Sequence, residues 1–329
     1  MGKGTMGELC YFDTHTHYND RRFEADLTEV LRKVREAGVL RDTIIGYDLK
    51  SSKLAVRMAE AQRVGKGERT KGSETDLSDA PEATAHMTAE AQKSAAGTTT
   101  EARKLTVGMT ADAPDVVMNA PLHTVAVGIH PLQTGDAEEE DLIQLEILAE
   151  DETVVAIGEI GLDYHRKEPE VTPDKETQQR FFRKQLRIAR RAGLPVVIHS
   201  RDAAQDTVRI MEEEKASEVG GVVHCYSYSP EMSEIFLNMG FYLGIGGVVT
   251  RPNSRKLKEV VARTPLERIL LETDCPYLAP EGHQGERNDS STLPQIAATV
   301  AELKGCDVEE VCRVTWENAC RLYRIPATI

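Results

Sequence analysis

Between Leu9 and Leu271 the chain repeats one unit eight times: a short apolar run, then a stretch whose apolar residues recur at helical spacing. The runs start near Leu9, Thr43, Thr124, Val154, Pro195, Gly221, Phe241 and Arg268. Runs this rich in Val, Ile and Leu suit strands buried on both faces, as in a parallel sheet covered by helices. The intervening helices are expected near 24–37, 51–64, 138–149, 175–191, around Val208 and Met211, 231–238 and 254–262, with two more closing the chain near 293–303 and 307–323. This alternation predicts an α/β protein and, within that class, a (β/α)8 TIM barrel. A doubly wound open sheet should show a Gly-rich phosphate turn after an early strand, and none is present.

The rhythm breaks once. Residues 66–121 hold no aromatic residue and only two leucines, Leu77 and Leu105. Such a stretch buries too little apolar surface to offset the entropy lost on ordering it. It reads as a mobile polar insertion between strands 2 and 3, leaving on the helix side and so away from the strand ends. Setting aside these 56 residues leaves 273 of the 329. A barrel needs about 250, so residues 1–329 are expected to form one domain.

Charge bounds the partners. Forty Lys and Arg against 54 Asp and Glu leave a net charge of −14. That field repels a polyanion, so any nucleic-acid site has to be local and helped by bound cations. Six cysteines without a C-x-x-C pair read as packed thiols. No apolar run reaches the ~18 residues of a membrane span. The first residues lack the apolar core of a signal peptide and the Ser or Thr of a myristoylation motif. A cytoplasmic or nuclear protein, monomeric and off the membrane, is the expectation.

The chemistry-bearing residues gather where strands end. Strand 1 ends in His15 and His17, strand 3 in His130, strand 4 in Glu159, strand 5 in His199, strand 6 in His224 and strand 8 in Asp274. Five of the nine histidines fall at such ends, while His86, His123, His165 and His283 are read as insertion or loop residues. In a barrel all these ends surround one mouth. Each residue alone has an ordinary reading: a hydrogen-bonded loop histidine, a solvated carboxylate, a cap before Pro276. Together they read as a centre for two divalent ions. His15, His17 and Asp274 could hold one, His199 and His224 the other, with Glu159 bridging. Two ions clamp the attacking and leaving oxygens of a hydrolysis and supply hydroxide near neutral pH, and Asp274 could take the water's proton. Nitrogen-rich ligation favours Zn²⁺ or Mn²⁺; Mg²⁺ serves if substrate oxygens complete the shell. His130 is a candidate for the substrate side, and Arg201 and Arg287 for phosphate contacts. Asp163 and Asp202 read as structural. Period-two alternation puts Asp13 on the face of His15 and His17, where it could orient either ring.

The sequence resembles the TatD family of metal-dependent deoxyribonucleases, in the amidohydrolase superfamily. The resemblance rests on Phe12-Asp13-Thr14-His15-Thr16-His17, Val127-Gly128-Ile129-His130-Pro131, Ala156-Ile157-Gly158-Glu159-Ile160-Gly161-Leu162-Asp163, Ile198-His199-Ser200-Arg201-Asp202, Val223-His224-Cys225-Tyr226, Leu271-Glu272-Thr273-Asp274-Cys275-Pro276-Tyr277-Leu278 and Glu286-Arg287-Asn288. It spans nearly the whole chain outside 66–121. It implies the barrel, the six-residue metal site and hydrolysis of DNA phosphodiester bonds. It further implies 3′→5′ exonuclease action and links to DNA repair and DNA fragmentation. Two mouth loops depart from the family pattern: Ile45-Gly46-Tyr47-Asp48 stands in place of a Thr-rich turn, and Tyr226-Ser227-Tyr228 in place of a Phe-Ser/Thr-Gly run. The same scaffold supports two other readings: a lactonase, esterase or deacylase on a small molecule, and a non-catalytic binding protein.

Overall fold

The computed structural model describes residues 9–67, 121–165 and 172–328. Eight parallel strands follow one another in chain order: β1 (Tyr11–Thr16), β2 (Val39–Ile45), β3 (Leu122–Val127), β4 (Val154–Asp163), β5 (Val196–Arg201), β6 (Gly221–Val223), β7 (Tyr242–Ile245) and β8 (Ile269–Leu271). The ring closes where Thr16 bridges to Cys275 and the Asp274 N–H donates to the His15 carbonyl at 3.0 Å. The helices are α1 (Leu27–Glu36), α2 (Leu49–Gly67), α3 (Glu139–Leu148), α4 (Lys175–Ala192), α5 (Ala204–Glu213), α6 (Pro230–Asn238), α7 (Arg255–Arg263), α8 (Leu293–Lys304) and α9 (Val308–Tyr323). The expected (β/α)8 barrel is therefore the fold. The expected insertion begins inside the last turn of α2, and its residues 68–120 lie outside the described part.

Apolar side chains divide between two layers. Tyr11, Val30, Leu31, Val125, Phe181 and Leu186 belong to the large layer that joins strands and helices. Phe12, Ala126, Val222 and Leu270 gather instead against Trp316 and Tyr323 of α9. The rings of Trp316 and Tyr323 lie 5.7 and 5.9 Å from Phe12. The neighbours Tyr11 and Phe12 thus serve different layers, as strand alternation requires.

Helix α4 shows how the outer layer is fixed. Asp174 caps its start by accepting the Thr177 N–H at 2.8 Å, and Gly193 ends it in the left-handed region at φ 67°. One face buries Phe181, Phe182, Leu186 and Ala189. The other carries a dense row of cations, and these are spent on neighbours: Arg180 and Lys184 on Glu139, Arg187 on Glu214, Arg190 on Glu218 and Arg191 on Glu146.

Three local expectations are corrected. Strand 4, expected to end in Glu159, runs on to Asp163: after an irregularity between Ile157 and Ile160, residues 160–163 pair with Ile198–Arg201. Helix α1 starts at Leu27 rather than near Glu24, because Asp20 caps a separate 3₁₀ turn over Arg21–Phe23. His123 is a strand residue, not a loop residue: it pairs with Asp42 across β2 and β3, and its ring nitrogen lies 2.7 Å from the Asp42 carboxylate. All six cysteines are free thiols. Among the described residues no helix is long and apolar enough to cross a membrane.

Candidate metal centre

The six residues expected to bind metal converge at one end of the barrel. His15 and His17 reach it from the end of β1, where the strand slips register against β2 between Asp13 and Thr16. That slip breaks the alternation on which Asp13 was placed beside the two rings. The Asp13 carboxylate instead accepts the His15 and Thr273 backbone N–H groups and the Thr273 and Ser290 hydroxyls. It ties β1 to the segment after β8 and orients neither imidazole. His17 is oriented by the Ile45 carbonyl, 3.2 Å from its Nδ1, which leaves Nε2 to face the centre.

Glu159 stands at the irregular point of β4, flanked by glycines. Gly161 has φ +143°, and a Cβ there would collide with the His199 carbonyl. Glycine lets β4 press against β5 at this level. The Glu159 N–H donates to the Gly46 carbonyl at 2.9 Å.

The two oxygens of Glu159 face different partners. Oε2 lies 3.5 Å from His15 Nε2 and 3.9 Å from His17 Nε2. Those two nitrogens are 3.3 Å apart, and Asp274 Oδ1 lies 3.6 and 3.3 Å from them. Oε1 lies 2.7 Å from both His199 Nδ1 and His224 Nε2, which are themselves 3.3 Å apart. Four ligands held ~2.0–2.1 Å from a common centre are separated by ~3.3–3.4 Å. The donor types fit a divalent ion in each set; the spacings of the first set lie near that value, whereas in the second only the 3.3 Å between the two histidines does and the 2.7 Å approaches of Glu159 are hydrogen-bond distances. The sets adjoin: the rings of His15 and His224 stack with centroids 4.0 Å apart.

Charge follows this geometry. Burial alone would raise the Glu159 carboxyl, but the charges of His224 and His130 and hydrogen bonds from His15 and His199 hold it well below the usual range. Asp274 is likewise held low, as its hydrogen bond from His17 and the charges of His15 and His17 outweigh burial. In return His17, His199 and His224 are raised despite burial, each by the carboxylates it faces. His15, walled in and beside His224, is lowered to about 4.

His130 is close but differently disposed. Its Nε2 lies 3.6 Å from Glu159 Oε1, while its Nδ1 accepts the Leu132 N–H at 3.2 Å. Burial lowers its pKa to about 3, so the ring is neutral. With Nδ1 accepting, Nε2 carries the hydrogen. His130 thus presents a donor to the centre, unlike a ligand nitrogen, which needs a free lone pair.

The flanking residues separate clearly. Asp163 Oδ2 lies 3.2 Å from His199 Nε2 and sets that ring, the structural part expected of it. Asp202 pairs with His165 at 2.9 Å. Arg201, two residues beyond His199, is exposed and makes no ion pair among the described residues. Arg287, expected to meet phosphate, has its guanidinium fork closed on Asp26 and on the Arg22 carbonyl. It holds the loop after β8 to the turn before α1. Glu272 is the residue that sequence reasoning passed over. It is buried, accepts the Cys225 N–H and lies 3.7 Å from His224 Nδ1. Burial pushes its carboxyl up to about 8. A side chain at Gly244 would occupy its place. An acid directly after the apolar run of strand 8 was the only signal the sequence offered for it.

A parallel barrel with histidines and carboxylates converging at its strand ends defines a metal-dependent hydrolase. Comparison with known proteins narrows the class. Residues 78–324 match the family model described as TatD related DNase. The chain is 36% identical over 315 residues to the uncharacterized metal-dependent hydrolase YabD of Bacillus subtilis, covering 95% of this chain and 99% of that protein. It is 42% identical over 202 residues to the uncharacterized metal-dependent hydrolase YcfH of Escherichia coli, covering 61% and 74%. The crystal structure of YjjV, a TatD homolog from Escherichia coli, superposes with a TM-score of 0.71 at 24% identity, covering 97% of this chain and all of that one. The chain belongs to the TatD family of metal-dependent hydrolases.

Proposed function

We propose that this chain is a metal-dependent deoxyribonuclease that releases nucleotides from the 3′ end of a DNA strand. The observation that supports it most directly is the division of Glu159 between two ligand sets, which favours a centre for two ions over a centre for one. His15, His17 and Asp274 would hold the first ion, His199 and His224 the second, and Glu159 both. Divalent ions there supply the positive charge that lowers the pKa of water and neutralises phosphate oxygens.

The protein's own groups supply the rest. Asp274, held ionised against His17, takes the proton of the attacking water. His130, neutral and protonated on Nε2, donates to a substrate oxygen at the centre. Asp163 keeps His199 in one orientation. Arg201 supports a charged substrate over a neutral lactone or ester: it is an exposed guanidinium at the end of β5, two residues beyond His199, with no carboxylate to satisfy it among the described residues.

The test is incubation of purified protein with Mg²⁺, Mn²⁺ or Zn²⁺ and a single-stranded oligonucleotide labelled at its 5′ end. A ladder shortening from the 3′ end is expected, and Glu159→Ala should abolish it. Absence of DNA cleavage together with turnover of lactones or acetylated amines would overturn the reading.

A further inference from the structure

Among the described residues four large hydrophobic side chains are exposed, and three are isoleucines on outer helices. The fourth is Tyr277, 47% exposed, three residues beyond Asp274. Its ring meets His17 edge-on with centroids 6.2 Å apart, so it stands beside the first ligand set. A second tyrosine, Tyr47, meets the same imidazole at 5.8 Å. Tyr47 belongs to the Gly46-Tyr47-Asp48 turn that departs from the family pattern, and its carbonyl accepts the His130 N–H at 2.8 Å.

Tyr277 is held in place from several directions. Its N–H donates to the Asp274 carbonyl at 2.9 Å, and its carbonyl accepts Asn288 Nδ2 at 2.8 Å. The Arg22 guanidinium lies over its ring, 4.1 Å from the centroid. Arg22 is itself fixed by Asp20, which accepts its Nε at 2.9 Å and its Nη2 at 2.8 Å. Behind this turn Arg287 binds the Arg22 carbonyl and Asp26 and lies over the Phe23 ring at 4.9 Å. The orientation of the ring is therefore set before any ligand arrives, which lowers the entropy cost of using it. A tyrosine that served only to shield His17 would be covered, yet nearly half of this one faces solvent. Arg22 is paired with Asp20, so the ensemble offers a flat π surface rather than a net charge.

We propose that Tyr277, backed by Arg22 and accompanied by Tyr47, is the stacking platform for the nucleobase next to the scissile phosphate. This rests on the phosphodiester reading of the same centre. Every base has a π face, so the platform selects for the presence of a base and is tolerant of its identity. It gives the enzyme a hold on the terminal nucleotide that an acidic surface does not otherwise provide.

The experiment compares two probes by titration calorimetry on Mn²⁺-loaded protein: deoxyadenosine 5′-monophosphate and 2-deoxyribose 5-phosphate, which lacks the base. Wild type should bind the nucleotide about 5- to 150-fold more tightly, the range expected of one base–aromatic stack. Tyr277→Ala should bring that ratio close to one, and Tyr277→Phe, which keeps the ring, should preserve it. Far-ultraviolet circular dichroism and a thermal melt of each variant identify any that fails to fold, with Tyr277→Leu as a second ring-less variant. Equal binding of both probes by wild type, or an undiminished ratio in folded Tyr277→Ala and Tyr277→Leu, would overturn the platform while leaving the phosphodiester reading intact. Failure of wild type to bind either phosphate would overturn the phosphodiester reading and the platform with it.

Discussion

Replacing Glu159 by Gln keeps the size of the side chain and one of its oxygens while removing its charge. Glu159 lies 3.5 Å from His15 through Oε2 and 2.7 Å from His199 and His224 through Oε1. One substitution at this residue should therefore weaken both ions, whereas a change in a single-set ligand should weaken one. Removing one partner from a buried, charged contact costs about 3–5 kcal/mol. At ~1.4 kcal/mol per decade, that is about two to three and a half decades of affinity for each ion. The loss should also be unequal, because the amide turns a hydrogen-bearing nitrogen, which cannot ligate, toward one set. The assay is calorimetric titration of metal-free protein with Mn²⁺ for wild type, Glu159→Gln and His17→Ala, with bound metal counted by elemental analysis. Wild type should take up two ions, His17→Ala should lose one, and Glu159→Gln should weaken both. If Glu159→Gln lost one ion and held the other within about threefold of wild type, Glu159 would belong to a single pocket and the bridging argument would be wrong.

Metal uptake should depend on pH with a definite sign. His17, His199 and His224 have folded pKa values raised above 6.5 by the carboxylates they face: Asp274 and Glu159 for His17, Asp163 and Glu159 for His199, and Glu159, Glu272 and Asp274 for His224. In metal-free protein their protonated pairs stabilise the fold fully below the unfolded value, and this is lost as pH rises through the raised folded values. An ion has to displace those protons, so Mn²⁺ affinity should climb across the same window. Titrations in two buffers of different ionisation enthalpy will show the proton release, and a flat affinity above pH 6.5 would refute it. Asp13→Ala should cost roughly 3 kcal/mol in urea unfolding, since it strands the Thr273 N–H and the Ser290 hydroxyl in a buried site; a loss under 1 kcal/mol would show that β1 and β8 close without it. Arg201→Ala should raise KM for single-stranded DNA by about tenfold and flatten its dependence on log salt by ~0.7, the slope of one released counterion. An unchanged slope would remove Arg201 from the phosphate path.

What the sequence made legible follows from what needs no three-dimensional correction. Period and apolar content identify buried strands, and a barrel places every strand end at one mouth, so His15, His17, Glu159, His199, His224 and Asp274 could be grouped without coordinates. Asp13 could not be placed in the same way: the alternation argument assumes an unbroken ladder, and β1 slips between Asp13 and Thr16. The same reason explains why strand 4 was expected to end in Glu159 although its glycine-flanked end, 158–163, runs on as strand. Its glycines look like loop residues, but they permit a close approach that lets β4 continue beside β5. Arg287 could not be resolved by composition, since a guanidinium fork suits an aspartate as well as a phosphate, and only the fold brings Asp26 to it. Glu272 was hidden because its partners, His224 and the Cys225 N–H, are about 50 residues away in the chain.

A net charge of −14 opposes the proposed DNA substrate until the cations are located. The densest row of them, on α4, is neutralised by Glu139, Glu146, Glu214 and Glu218 and offers no groove to a polyanion. On the proposed reading a phosphate is held locally, by the ions that the histidines and carboxylates would hold and by Arg201. What remains for a base is Tyr277. A protein arranged this way gains little from a long duplex, whose flanking phosphates meet an acidic surface. It gains most from one terminal nucleotide whose phosphate reaches the ions while its base leaves the stack. Affinity should then depend on metal more than on strand length, and oligonucleotides of five and of thirty residues should bind the Mn²⁺-loaded protein within a few-fold of each other. Affinity that grew steeply with length would require a cationic track away from the mouth and would refute action at the strand end.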